Sequence, residues 1–173
     1  KTGSHRQAFA AVDRGLKRLY VSAYQGWLFN RVVAERIEQI DRIWPGDLAW
    51  RHANGAVFRV EDLPSEQRRC EAFEISPTGP LFGYRMTCPT GQAGRLEQQI
   101  LQDEGLSLSD FRAERAHKVK GGRRPLRFQP ADWSVEPGRD ELGEFLELRF
   151  ALPPGCYATA LLRELCKRDL AEH

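Results

Sequence analysis

The sequence predicts an α+β fold in which helices alternate with short antiparallel strands. Three observations carry that prediction. A long segment of helical period ends at Pro45-Gly46, an Asn54-Gly55 pair sits between two strand-like runs, and a closing strand breaks at Pro153-Pro154-Gly155 into an apolar-striped helix.

The elements follow in chain order. Residues 1–18 are mixed and weakly helical, with Arg14-Gly15-Leu16-Lys17-Arg18 reading as the end of that lead-in. Ser22-Ala23-Tyr24-Gln25 has the form of a capping box, a hydroxyl followed three residues later by an amide. Behind it Tyr24, Leu28, Val32, Ile37 and Ile40 recur near helical spacing, so a helix is predicted over 23–43, with Trp27, Phe29 and Val33 widening the side expected to enter a core. Residues 48–52 and 56–60 read as a hairpin around Asn54-Gly55. Residues 61–69 read as a polar excursion. Phe73-Glu74-Ile75 reads as a strand leading into a rigid turn, Ser76-Pro77-Thr78-Gly79-Pro80.

Leu96, Ile100 and Leu101 predict a short amphipathic helix ended by Gly105, and Ser107 and Ser109 offer caps for one more turn around Phe111. Leu126 and Phe128, then Leu146, Leu148 and Phe150, alternate with polar residues as two half-buried strands joined by an acidic loop. The final helix, over 157–167, carries Ala158, Leu161, Leu162 and Leu165 on one face. No internal repeat or low-complexity tract is present.

Composition bounds the function. The 173 residues suffice for one domain or two small lobes, with 41% hydrophobic and 29% charged residues. No apolar run of about 18 residues is present, which excludes a membrane-spanning helix. The first residues lack the apolar core of a signal peptide, and the cysteines Cys70, Cys88, Cys156 and Cys166 form no C-x-x-C pair, so a cytoplasmic protein with reduced thiols is expected. Neither these cysteines nor the isolated His5, His52, His117 and His173 have metal-ligand spacing, and no metal or cofactor is expected. Nucleotide-binding, serine-hydrolase and zinc-protease motifs are all missing.

The net charge is only +2, but it is segregated. Residues 112–127 hold seven basic side chains against Glu114, a net of +6, and residues 132–147 hold six acids against Arg139, a net of −5. Lys118, Lys120, Arg123, Arg124 and Arg127, interleaved with Gly121-Gly122 and followed by Phe128, form a candidate grip on RNA phosphates. The alternative is a solvated loop neutralised by the acidic stretch.

Four blocks carry a family resemblance. Leu19-Tyr20-Val21-Ser22-Ala23-Tyr24-Gln25-Gly26-Trp27-Leu28-Phe29-Asn30 resembles the L-S-A-x-Q-S-x-L-F-N segment of the TruD family of tRNA pseudouridine synthases. Pro77-Thr78-Gly79-Pro80-Leu81-Phe82-Gly83 is similar to its P-T-G-P-L-[FW]-G segment, and Arg123-Arg124-Pro125-Leu126-Arg127 to its R-R-x-L-R strand. Leu152-Pro153-Pro154-Gly155-Cys156-Tyr157-Ala158-Thr159-Ala160-Leu161-Leu162-Arg163-Glu164 resembles its closing L-P-x-G-S-Y-A-T-x-L-L-R-E motif. Gly26 and Cys156 stand where the family usually has serine.

The resemblance implies a cofactor-independent isomerase that converts a tRNA uridine, at position thirteen in the family, to pseudouridine through a covalent aspartate adduct on a flipped-out base. It implies a lead-in over 1–18, most of the family's inserted domain over 19–117, and a C-terminal segment of the catalytic domain over 118–173. The family's aspartate lies in a G-x-K-D-x-x-A motif that these residues do not contain, and Asp13 does not match it. The family's N-x-x-x-F stretch is also absent. The expectation is therefore a partial chain, inactive alone, whose partners are tRNA and the missing N-terminal half. Leu162 and Arg163 are the candidate active-site lining, Arg163 as bidentate partner of the aspartate and Leu162 or Leu161 as a wall against the uracil. The alternatives are a non-catalytic RNA-binding module of the same origin and a protein-interaction domain without an RNA role.

Overall fold

A computed structural model of the chain describes residues 11–112 and 119–167. It divides into two compact units, Lys1–Arg127 and Phe128–His173. The expected domain division at 117/118, Lys118 itself and residues 1–10 lie outside the described residues.

The first long helix described in the first unit is α1 (Arg14–Arg36). This helix starts nine residues before the expected one, because Asp13 rather than Ser22 is its cap. The Asp13 carboxylate accepts from Gly15 N at 2.7 Å and Leu16 N at 3.2 Å, and those two bonds hold its pKa below the ordinary value. One 3₁₀ turn (Ile37–Gln39) ends the helical run ahead of Pro45-Gly46.

A four-stranded antiparallel sheet follows, in the order β2-β1-β3-β4. β1 (Leu48–Arg51) and β2 (Val57–Arg59) form the expected hairpin, in which Gly55 adopts φ +71°. The stretch expected as a polar excursion is instead α2 (Leu63–Glu71), capped by Asp62 with Pro64 in its first turn. The largest difference is β3 (Ile75–Leu81): Ser76-Pro77-Thr78-Gly79-Pro80 is not a turn but the middle of a central strand, paired with β1 on one side and β4 (Gly122–Pro125) on the other. Prolines are scarce in such positions because they cannot donate to the ladder. Here the Pro77 carbonyl still accepts from Leu126 N at 2.9 Å, and the Thr78 hydroxyl donates to Leu48 O at 2.7 Å.

α3 (Gly91–Asp103) contributes Ile100 and Leu101 to a core with Leu28, Phe29 and Val32 of α1, Phe82 and Leu126. A second core gathers Ile43, Ala49, Val60, Cys70 and Ile75. Gly79 sets the distance between α1 and the sheet: a Cβ there would lie 2.8 Å from both Phe29 and Leu126. Any side chain would push the helix away. Asp110–Arg112 forms the short turn expected around Phe111.

In the second unit the acidic stretch is carried by strands rather than by a loop. β5 (Ala131–Asp140) and β6 (Gly143–Ala151) form a two-stranded ribbon, and α4 (Ala158–Cys166) follows Pro153-Pro154-Gly155. Cross-strand register puts Val135, Pro137, Leu146, Leu148 and Phe150 on one face of the ribbon and Ser134, Glu136, Glu147 and Arg149 on the other. No described residue of this unit is buried. The apolar stripe on α4 is half-buried at Leu161 and Leu162 and exposed at Ala158 and Leu165.

Candidate nucleic-acid interface

Strand geometry sorts the basic run. Arg123 stands opposite Pro80 and Arg124 opposite Gly79, so the two consecutive side chains leave β4 on opposite faces. Arg123 turns inward. It donates to both Glu97 carboxylate oxygens at 2.7 and 2.8 Å, to Thr78 Oγ1 at 3.0 Å and to Thr78 O at 2.8 Å, with 3% of its side chain exposed. Burial raises the Glu97 pKa and the Arg123 bonds pull it back; with both oxygens accepting from one guanidinium, the geometry is that of a carboxylate.

Arg127 is also committed to the fold. Its Nε donates to Ser76 Oγ at 2.9 Å, and its Nη2 donates to Cys70 O and to Ile75 O. The Ser76 hydroxyl accepts from Arg127 and shares a hydrogen bond of 2.8 Å with His52 Nε2. His52 stacks on Phe73 at 4.4 Å, and its pKa is lowered first by burial and then by the Arg127 charge. The phosphate grip expected from Arg123 and Arg127 is therefore not what these two side chains form. They are anchors, because their forks already have buried acceptors.

Lys120 remains exposed, and Arg124 is half-buried with its guanidinium 6.0 Å from the Phe29 ring. The chain brings Lys120 new neighbours. Tyr84 N donates to Val119 O and Arg85 N donates to Lys120 O, both at 3.0 Å, continuing the β3–β4 pairing beyond the strands. Two glycines make this possible: a Cβ on Gly83 would lie 2.2 Å from Gly121 N, and Gly121 takes φ +77°. The exposed Arg85 lies over the Tyr84 ring at 5.6 Å. Val119 N also donates to Phe111 O, which brings the turn with exposed Arg112 to the same edge. Tyr84, Arg85, Arg112 and Lys120 thus form a basic, aromatic-bearing edge of the sort that holds a nucleic-acid backbone. Neither Tyr84 nor Arg85 was legible as part of it, since only the Gly83–Gly121 approach puts them beside Lys120.

Leu162 and Arg163 lie in the other unit, adjacent on α4, Leu162 half-buried and Arg163 exposed. Among the described residues no three His, Cys, Asp or Glu side chains are placed to hold a metal ion. No described helix is long and apolar enough to cross a membrane.

Three of the four sequence blocks meet in this geometry: Phe29 of the first, Gly79 of the second and Leu126 of the third are in mutual contact distance. The family model for tRNA pseudouridine synthase D (TruD) matches residues 1–165. The chain belongs to the TruD family of tRNA pseudouridine synthases. It is 48% identical over 160 residues to a tRNA pseudouridine synthase D of Geobacter metallireducens, an alignment covering 92% of this chain and 39% of that one. Against a Thermus thermophilus protein of the same name, identity is 44% over 160 residues, covering 91% and 42%. A crystal structure of a Methanosarcina mazei protein assigned to TruD superposes with a TM-score of 0.79 at 29% identity, covering 93% of this chain and 40% of that one. The chain spans about two fifths of the length of these TruD relatives.

Proposed function

We propose that this chain is the RNA-gripping and site-closing part of a cytoplasmic enzyme that isomerises a tRNA uridine, at position thirteen, to pseudouridine. The observation that carries the reading is the family match across residues 1–165. The basic edge of Tyr84, Arg85, Arg112 and Lys120 supports it by supplying a surface suited to the tRNA backbone, with Arg124 beside it and Lys118 two residues before Lys120 in the chain. The isomerisation exchanges an N–C glycosidic bond for a C–C one within the same nucleotide, so its stoichiometry requires no cofactor.

These 173 residues contain no G-x-K-D-x-x-A motif, and the nucleophilic aspartate is assigned to an N-terminal half of the same protein. That half would cover the apolar face of the β5–β6 ribbon, and α4 would present Leu162 and Arg163 to the aspartate. An exposed arginine next to a half-buried leucine suits that role, since an arginine can offer a bidentate fork and a leucine an apolar wall.

Salt-dependent tRNA binding, measured beside turnover, tests the reading. Arg85→Ser with Lys120→Ser should weaken tRNA binding and flatten the log–log salt slope by about two, roughly one for each phosphate no longer neutralised. The chain alone should form no pseudouridine, and addition of the N-terminal half should restore it. Binding that survives without restored turnover would favour a non-catalytic RNA-binding module. An unchanged slope would remove the edge from the interface.

A further inference from the structure

Glu97 holds a position that the helical pattern gives to an apolar side chain. The buried stripe of α3 is Ala93, Glu97, Ile100 and Leu101, at i, i+4, i+7 and i+8, and Glu97 is 5% exposed. A buried ion pair costs desolvation, and well-packed apolar residues in its place are often no less stable. Stability alone therefore does not account for a carboxylate here, and what the pair fixes becomes the question. Arg123 meets Glu97 with both Nη atoms, and the same guanidinium bonds Thr78 at Oγ1 and at O. One side chain thus ties β4 to α3 and to the middle of β3. Thr78 donates in turn to Leu48 O, which carries the tie to β1.

The tie sits where the basic edge begins. Lys120 precedes Arg123 by three residues, and both residues between them are glycine. Gly121 takes φ +77°, and a Cβ on Gly122 would meet nothing within 4 Å, so the link itself restricts little. Its approach to the neighbouring strand is tight all the same: a Cβ on Gly121 would lie 2.7 Å from Gly83 Cα and from Leu81 O. With no side chain at either glycine to hold that approach, the first anchored side chain on the sheet side is Arg123. The bonds that depend on it are Tyr84 N to Val119 O and Arg85 N to Lys120 O, both 3.0 Å. A shift of β4 by about 0.6 Å away from β3 would take them out of hydrogen-bonding range.

We infer that Glu97 is a positioning residue for the RNA-gripping edge: by holding the Arg123 fork it fixes the end of β4 from which Lys120 is presented beside Tyr84 and Arg85. This rests on the reading of that edge as the tRNA-binding surface. Glu97 acts through Arg123 and, being buried, touches no RNA itself. Loosening the fork frees the Lys120 side of the edge and leaves Arg85 on the continuation of β3. About one phosphate contact is then lost, not the whole edge.

Two measurements on the chain test this, tRNA titration across salt and amide hydrogen exchange, both well below the melting temperature of each variant. Glu97→Gln should weaken tRNA binding at least about threefold and flatten the log–log salt slope by about one. Its Tyr84 and Arg85 amides should lose protection at least about tenfold, while amides of the β1–β3 pairing keep theirs. Added to Arg85→Ser/Lys120→Ser, Glu97→Gln should cost no further affinity, because the contact it positions is already gone. Arg123→Lys keeps the charge but loses the fork, so it should repeat the Glu97→Gln pattern and serves if that variant folds poorly. A normal slope with normal edge amides in either variant overturns the inference. So does a multiplicative loss in the combined variant, or protection lost equally across the sheet, since both mark general loosening. Failure of the edge reading looks different: Arg85→Ser/Lys120→Ser then keeps its affinity and salt slope while Glu97→Gln still loses its edge amides, which overturns the RNA role of the residue and not its hold on the strand.

Discussion

The two units are built on opposite principles. The first encloses two apolar cores and two buried ion pairs, Arg36 with Asp47 and Arg123 with Glu97. The second, with a ten-residue and a nine-residue strand and a nine-residue helix, buries none of its described residues and leaves Trp133, Leu146 and Leu165 58%, 69% and 47% exposed. A two-stranded ribbon with one apolar face is marginal in water without something packed on it. Secondary structure in the first unit is therefore held by its own packing, whereas the second leaves the apolar face of its ribbon largely exposed. The same contrast applies to arginine. Arg123 and Arg127 are committed inside the first unit, and Arg163 is solvent-exposed in the second.

The largest expected effect concerns local stability. Amide hydrogen exchange on the chain should protect β3 at least about a thousandfold more than β5, β6 and α4, because opening the first unit exposes its cores and opening the second exposes little more than is exposed already. With the N-terminal half bound, the gap should narrow. Equal protection in the isolated chain would break the contrast.

Next in size is the contrast within the basic run. Arg123→Ala leaves Glu97 buried without its partner and should cost about 3–5 kcal/mol in denaturant unfolding. Lys120→Ala, on an exposed edge, should stay within about 0.5 kcal/mol. Comparable losses from both would mean that Arg123 is not the anchor its geometry describes.

Arg163→Lys should show the reverse pattern. Lysine keeps the charge but loses the bidentate fork. In the protein with its N-terminal half, the single-turnover rate should fall about tenfold or more while tRNA affinity and melting temperature stay nearly unchanged. A normal rate would take Arg163 out of the active site, and lost stability would make it a packing residue.

The smallest effect is the pH response of His52. Its pKa is lowered in the folded chain from the ordinary 6.5, so the unfolded chain takes up the proton first as pH falls. The contribution is fully present above about pH 6.5 and is lost progressively below it. His52→Gln should flatten that part of the stability profile, and an unaltered profile would show that His52 carries none of it. The second unit has no histidine among its described residues and should add nothing in this window.

Local sequence determined the α+β class, the Asn54-Gly55 hairpin, the α3 helix ending before Gly105 and the final helix after Pro153-Pro154-Gly155, because turn chemistry and helical period act over a few residues. The four blocks also located the family. Other features were decided only in three dimensions. Ser22 has capping chemistry, yet it lies inside α1, because Asp13 caps the helix earlier and core packing of Leu28, Phe29 and Val32 carries it onward. Pro77 and Pro80 signal a turn by propensity, yet they lie in a central strand, since neighbouring strands and the Thr78 hydroxyl meet the hydrogen-bonding needs that local rules assume unmet. Spacing likewise grouped Lys120, Arg123, Arg124 and Arg127, but strand alternation and buried acceptors separated them. A run of charge records which residues are basic. Whether a guanidinium meets a phosphate or a buried glutamate depends on which face it leaves and what the fold has placed there.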